Sequence, residues 1–180
     1  TLHRASKLLL RSYNGPAWLQ DWDARKTIET IQQYTGRRIR AWRNHMYMHG
    51  PHTERVVARC GNIVCSDGVV RGSRGPTLGP EGIYDFTINV IPDHEHLYHA
   101  ERTRQWVARW QKRYNWSDDF GSESYEIDEW VDLVLKGLEH NEARGAISNL
   151  IIHPITMYLC DGFKGFGRIL DYIKKRRAIH

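Results

Sequence analysis

The chain has 180 residues, 41% hydrophobic and 26% charged, with a net charge of +5 before its ten histidines are counted. That is enough for one domain with a real core, and no stretch approaches the ~18 apolar residues that a membrane helix requires. Cys60, Cys65 and Cys160 form neither a disulfide framework nor a zinc-spacing pattern and read as small buried hydrophobes. The enrichment lies elsewhere, in seven Trp, nine Tyr and ten His. Such side chains suit a sugar ligand at the mouth of a barrel, and they suit interfaces as well.

Residues 1–14 carry one short apolar run, 8–10, and no signal-peptide core. A cytoplasmic and a cell-envelope or secreted location both stay open. His3 stands there as a metal ligand or a surface residue. Residues 21–34 predict a helix: Ala24, Ile28, Ile31 and Tyr34 recur at helical spacing, Asp21 or Asp23 can cap it, and Gly36 closes it. Residues 39–42 predict a short strand ending in Arg43-Asn44-His45. A guanidinium there can clamp a carboxylate or sit as a surface cation. Residues 53–59 predict a second helix capped by Thr53, and 62–65 another strand. Asp67 follows it, either facing the mouth or serving turn chemistry.

Residues 71–82 form a glycine-rich loop without the spacing of a phosphate cradle. Residues 84–90 predict a strand. The cluster Asp93-His94-Glu95-His96-Leu97-Tyr98-His99 comes next. On a helix His96 and His99 lie one turn apart and form a candidate metal pair. The competing reading is a helix start of solvated polar residues. Helices follow at 100–114, with Trp106, Val107 and Trp110 on the stripe, and at 127–138, separated by an acidic, aromatic loop. Residues 150–152 form a β-branched-rich run that stops at His153-Pro154 and predicts a buried strand ending at His153. Residues 163–172 begin a closing helix. Strands alternating with helices predict an α/β fold with a mostly parallel sheet or an incomplete barrel. In such a barrel, strand C-termini face the active site, which makes His153 the leading candidate for chemistry. The alternative is a satisfied strand-end histidine. Basic residues at 37–43 would split across both faces of a strand, so no nucleic-acid partner is expected.

Two stretches, IQQYTGRRIRAWRNHMYMHGPHTERVVARCGNIVCSD at 31–67 and the segment 146–173 around His153-Pro154, carry a resemblance in their order and spacing. The chain resembles the polysaccharide deacetylase family, the NodB-homology carbohydrate esterases. The resemblance implies a single domain, a partial or irregular (β/α)7 barrel, of which these residues are the central and C-terminal portion. It implies metal-dependent hydrolysis of acetyl groups, N-acetyl before O-acetyl, on an acetylated glycan, with a divalent cofactor, commonly Zn2+. Carried over, Arg43 matches the arginine that orients the catalytic aspartate and His153 the general acid. Ile152 would line the acetyl pocket. Trp42 and Asp67, beside Arg43 and at the next strand end, join it as substrate-binding candidates. His3 is the one survivor of the His-x3-His metal motif, Lys7 standing at its partner position, so His3, His96 and His99 are the metal candidates.

The Asp-Asp motif of the family's first strand is absent from the chain. An N-terminal segment, or an additional chain, would supply it, and a homo-oligomer is compatible. The alternatives are a catalytically incomplete glycan-binding or interaction protein on the same scaffold, and a metal-dependent hydrolase of another small amide. Asp67 is the carboxylate that the sequence suggests as a partner for His153. No membrane partner is expected.

Overall fold

The computed structural model describes residues 9, 14–47 and 49–176. They form a mixed α/β structure with seven α-helices and a small, open four-stranded sheet. The chain divides into two compact units. One comprises Thr1–Gly68 and Pro76–Thr87, the other Val69–Gly75 and Ile88–His180.

In the first unit, α1 spans Ala17–Thr35 and ends where Gly36 enters the left-handed region at φ 69°, its N–H bonding the Gln32 carbonyl. A residue without Cβ adopts that conformation without strain. α1 turns Ala24 and Ile28 inward against Val56 and Cys60 of the segment that holds α2, Thr53–Arg59. β1 is Ala41–Trp42, β2 Val64–Cys65, β3 Thr77–Leu78 and β4 Tyr84–Asp85, in the spatial order β1-β2-β4-β3. β1, β2 and β4 run parallel, as the alternation of helix and strand predicts, and β3 pairs antiparallel with β4. The parallel register places Trp42 beside Cys65 and Cys65 beside Asp85. Every strand is two residues long, so the sheet aligns a few strand ends rather than building a wall. β3 falls within the glycine-rich stretch read from sequence as loop. The sheet does not close into a barrel.

In the second unit, α3 spans Asp93–His96, α4 Arg104–Tyr114, α5 Ile127–Ala143, α6 Pro154–Asp161 and α7 Lys164–Lys174. Trp130, Val131, Val134, Leu97, Met157 and Ile169 are fully buried together. α5 and α7 approach closely at Gly165, where an added Cβ would stand 2.8 Å from Val131 Cγ2. Trp130 still needs a partner for its indole N–H and donates it to the Pro92 carbonyl at 3.1 Å.

Two expectations are corrected here. Residues 150–152 form no strand; they lead without regular structure into His153, which is extended at the N-cap of α6, with Pro154 at its first turn. Proline fits there because the first helical N–H groups have no intrahelical acceptor. The cluster at 93–99 is not one helix continuing into α4. α3 stops at His96, and Leu97 turns extended at φ −122°, ψ 132°. The backbone instead bonds the loop at 125, Tyr98 N donating to the Tyr125 carbonyl and Tyr125 N to the His96 carbonyl, both at 2.9 Å. Burying Leu97 favours that pairing over another helical turn.

Candidate functional site

Each unit builds a histidine–aspartate pair whose imidazole is partly exposed at the end of an element. In the first unit, β2 ends with Cys65 and continues through Ser66 to Asp67. Residues two apart on an extended chain share a face, so the thiol and the carboxylate point the same way. The Asp67 side chain is 1% exposed. It accepts from Asn44 N at 2.8 Å on Oδ1 and from Asn44 Nδ2 at 2.6 Å on Oδ2. Cys65 Sγ donates to Oδ2 at 3.5 Å, and His49 Nδ1 lies 3.4 Å from the same oxygen. Burial pushes the Asp67 carboxyl up, but the hydrogen bonds from His49 and Asn44 outweigh it and hold the group below the usual carboxylate range. The bond to Asp67 lifts His49 above the ordinary histidine value. Burial, and then the Asp67 charge, push the Cys65 thiol up.

Ligand atoms of His49, Cys65 and Asp67 lie within 4.8 Å of one another, so among the described residues this group could hold a metal ion. One imidazole nitrogen, one sulfur and one carboxylate oxygen are donors that first-row divalent ions accept. His49 is the entrance: its side chain is 43% exposed and lines a cleft of about 410 Å³ with Glu54 and Glu81. Glu54 Oε1 stands 3.8 Å from His49 Nε2.

In the second unit, Asp93 opens α3 and is completely buried. Its Oδ2 accepts the His153 backbone N–H at 2.7 Å, and its Oδ1 lies 2.8 Å from His153 Nδ1. The imidazole is thus fixed at backbone and ring, while its side chain is 42% exposed. With Nδ1–H given to the carboxylate, Nε2 is the atom left to exchange a proton. The His94 ring lies 5.3 Å from that of His153, and the His99 ring 5.8 Å from that of His94.

The candidates read from sequence fall as follows. His153 is presented to solvent, but its carboxylate partner is Asp93 and not Asp67, which belongs to the other unit. Arg43 also belongs to the first unit. Its Nε donates to the Ser66 carbonyl at 2.8 Å and its Nη2 to the Ser66 hydroxyl, while Asn44 is the residue that grips Asp67. Trp42 is half-buried, donating its indole N–H to Asn44 Oδ1 at 3.0 Å. Ile152 packs against the core of the second unit.

His3 lies outside the described residues. His96 is fully buried, and both its ring nitrogens are engaged, Nδ1 donating to the Glu123 carbonyl at 2.7 Å and Nε2 lying 3.1 Å from both Asp118 oxygens. It is a core residue that anchors the acidic loop. His99 lies beyond the helix break, and its buried Nε2 has no hydrogen-bond partner among the described residues. Burial, and then the nearby His94, hold it below the ordinary histidine value.

Sequence reasoning missed Cys65, His49 and Asp93 as site residues. The first had a local signal, Cys65-x-Asp67 at a strand end. The pairing of Asp93 with His153 spans sixty residues and had none. Comparison with protein-family models, with curated proteins and with solved structures finds no match.

Proposed function

We propose that this chain is a hydrolase that removes acetyl groups from a glycan, acting on N-acetyl before O-acetyl groups, with His153 as the proton-transfer residue. The observation that carries this reading is the 2.8 Å contact between the buried Asp93 carboxylate and Nδ1 of the half-exposed His153. An imidazole held this way keeps one tautomer and one orientation, and Nε2 can deliver a proton to a departing amine nitrogen. Asp93 offsets the charge that the ring carries before delivery. On this reading β1, β2 and β4 are strands of a partial (β/α)7 barrel of the deacetylase type.

Within the first unit, and independently of His153, His49, Cys65 and Asp67 would hold a divalent ion, zinc being the choice that suits a mixed nitrogen, sulfur and oxygen set. A bound ion of this kind supplies Lewis acidity toward a carbonyl and lowers the pKa of water. The chain's own part there is preorganisation: Asn44 turns the Asp67 carboxylate toward His49 and Cys65.

The test is acetate release from an N-acetylated oligosaccharide, measured with added Zn2+ and after chelation. Release that chelation abolishes, and that His153→Ala removes, supports the reading. Glycan binding without acetate release would make the chain a catalytically incomplete binding protein. Acetate release from small amides but not from the oligosaccharide would move the substrate class.

A further inference from the structure

We infer that the outer face of α4 is a stacking platform for an acidic oligosaccharide. Trp106, Arg109, Trp110 and Arg113 follow one another at helical spacing and so share one face. The Trp106 and Trp110 rings are stacked, 17° from parallel with centroids 5.9 Å apart. The Arg102 guanidinium sits over both, 5.3 Å from one centroid and 5.2 Å from the other. Arg102 is itself buried, its Nη2 donating to the Glu95 carbonyl and to Ser124 Oγ. The indoles are thereby held rigid from beneath, which lowers the entropy lost when a ligand stacks on them. Trp106, Arg109, Trp110, Arg113 and Tyr114 line a groove of about 320 Å³.

Charge indicates the occupant's sign. α4 carries Arg104, Arg109, Lys112 and Arg113 and no carboxylate. Arg104 pairs with Glu126, whereas Arg109 and Arg113 are in no ion pair among the described residues. Planar aromatic rings flanked by guanidiniums, Arg113's lying over the Tyr114 ring, match a ligand with flat C–H faces and anionic groups. A second feature favours sugar over nucleic acid. Trp110 touches Trp116, ring centroids 5.4 Å apart, and Trp116 leads into a cleft of about 440 Å³ lined also by Asn115, Ser117 and Ser122. Amide and hydroxyl groups there suit sugar hydroxyls. The choice of a glycan rests on the hydrolase reading above, while the platform stands on the geometry of α4.

The experiment is calorimetric titration of the full chain with three probes of equal length: an oligosaccharide alternating N-acetylhexosamine and hexuronic acid, a neutral N-acetylhexosamine oligomer, and oligouridine. The acidic sugar should bind tightest. Trp106→Ala should weaken it roughly ten-fold, the worth of one good stacking partner. The double variant R109Q/R113Q should abolish the preference over the neutral oligomer without changing the circular dichroism of the fold. Equal binding of the two sugars would overturn the acidic assignment. Tighter binding of oligouridine, or no binding to any probe, would overturn the glycan. Acetate release is scored separately, so binding without turnover retires the hydrolase reading and leaves the platform standing.

Discussion

The His49–Asp67 and His153–Asp93 pairs use the same residue types to different structural ends. In the first unit Asp67 serves several partners at once: both nitrogens of Asn44, the Cys65 thiol and His49. In the second unit Asp93 gives both its oxygens to one residue, His153. A carboxylate shared among many donors fastens a loop to a strand end. A carboxylate dedicated to one imidazole fixes a tautomer. The supports differ likewise. The first unit has two small apolar clusters and relies on polar cross-links between strand ends, whereas the second rests on one large cluster around Trp130.

On the proposed hydrolase reading, the largest effect that bears on this contrast is on catalysis. His153→Ala should lower kcat for acetate release by roughly 10²–10⁴-fold, the usual worth of a positioned acid, with the metal content measured by elemental analysis unchanged. Metal content falling in step with activity would make His153 a ligand and erase the distinction between the two pairs.

Asp67→Ala should act on stability instead. It leaves the Asn44 N–H and the Cys65 thiol without their acceptor in a buried place, a cost of about 2–3 kcal/mol. Urea unfolding would report it, and a change under half that size would show that Asp67 is not the fastener described.

Gly165→Ala probes the apolar support of the second unit. The new methyl would enter the space held by Val131 Cγ2, 2.8 Å away, and would crowd Asp161 Oδ2 at 3.0 Å. Overpacking of this kind costs about 1–2 kcal/mol. A thermal melt with an unchanged midpoint would mean that α5 and α7 separate freely.

The smallest effect is the pH dependence of the first pair. Its histidine is raised in the folded state, so its contribution is complete below the unfolded value near ~6.5 and is lost as pH rises through the folded value. Its aspartate is depressed, so its contribution is complete above the unfolded value near ~3.9 and is lost as pH falls through the folded value. The pair therefore stabilises most between those limits. His49 is 43% exposed and solvent screens it, so the alkaline loss should stay under about 1 kcal/mol. His49→Gln should flatten that limb of a stability-against-pH curve. An unaltered limb would assign it to another group.

Local pattern was enough for much of the fold. The periodicity of Ala24, Ile28 and Ile31 marks α1, α2 covers the stretch read from sequence although His52 and not Thr53 is its N-cap, and the runs at 39–42 and 62–65 contain β1 and β2. Parallel pairing followed from helices alternating with strands. His153 was legible as a presented histidine because Pro154 forces a change of element there. These features depend on residues within a turn or two of one another, where sterics and spacing act directly. What surrounds His153 was decided by tertiary structure. A β-branched run before a proline fits a buried strand and an irregular lead into a helix equally well, and the difference is made by Asp93, sixty residues earlier, drawing the His153 backbone N–H to itself. The histidines of the 93–99 cluster have a helical spacing, yet His96 and His99 are parted because Leu97 is buried and its neighbours bond the backbone at 125. His49 meets Cys65 and Asp67 across a loop and a helix. Spacing can specify which side chains share a face, but only the packed chain determines which faces meet.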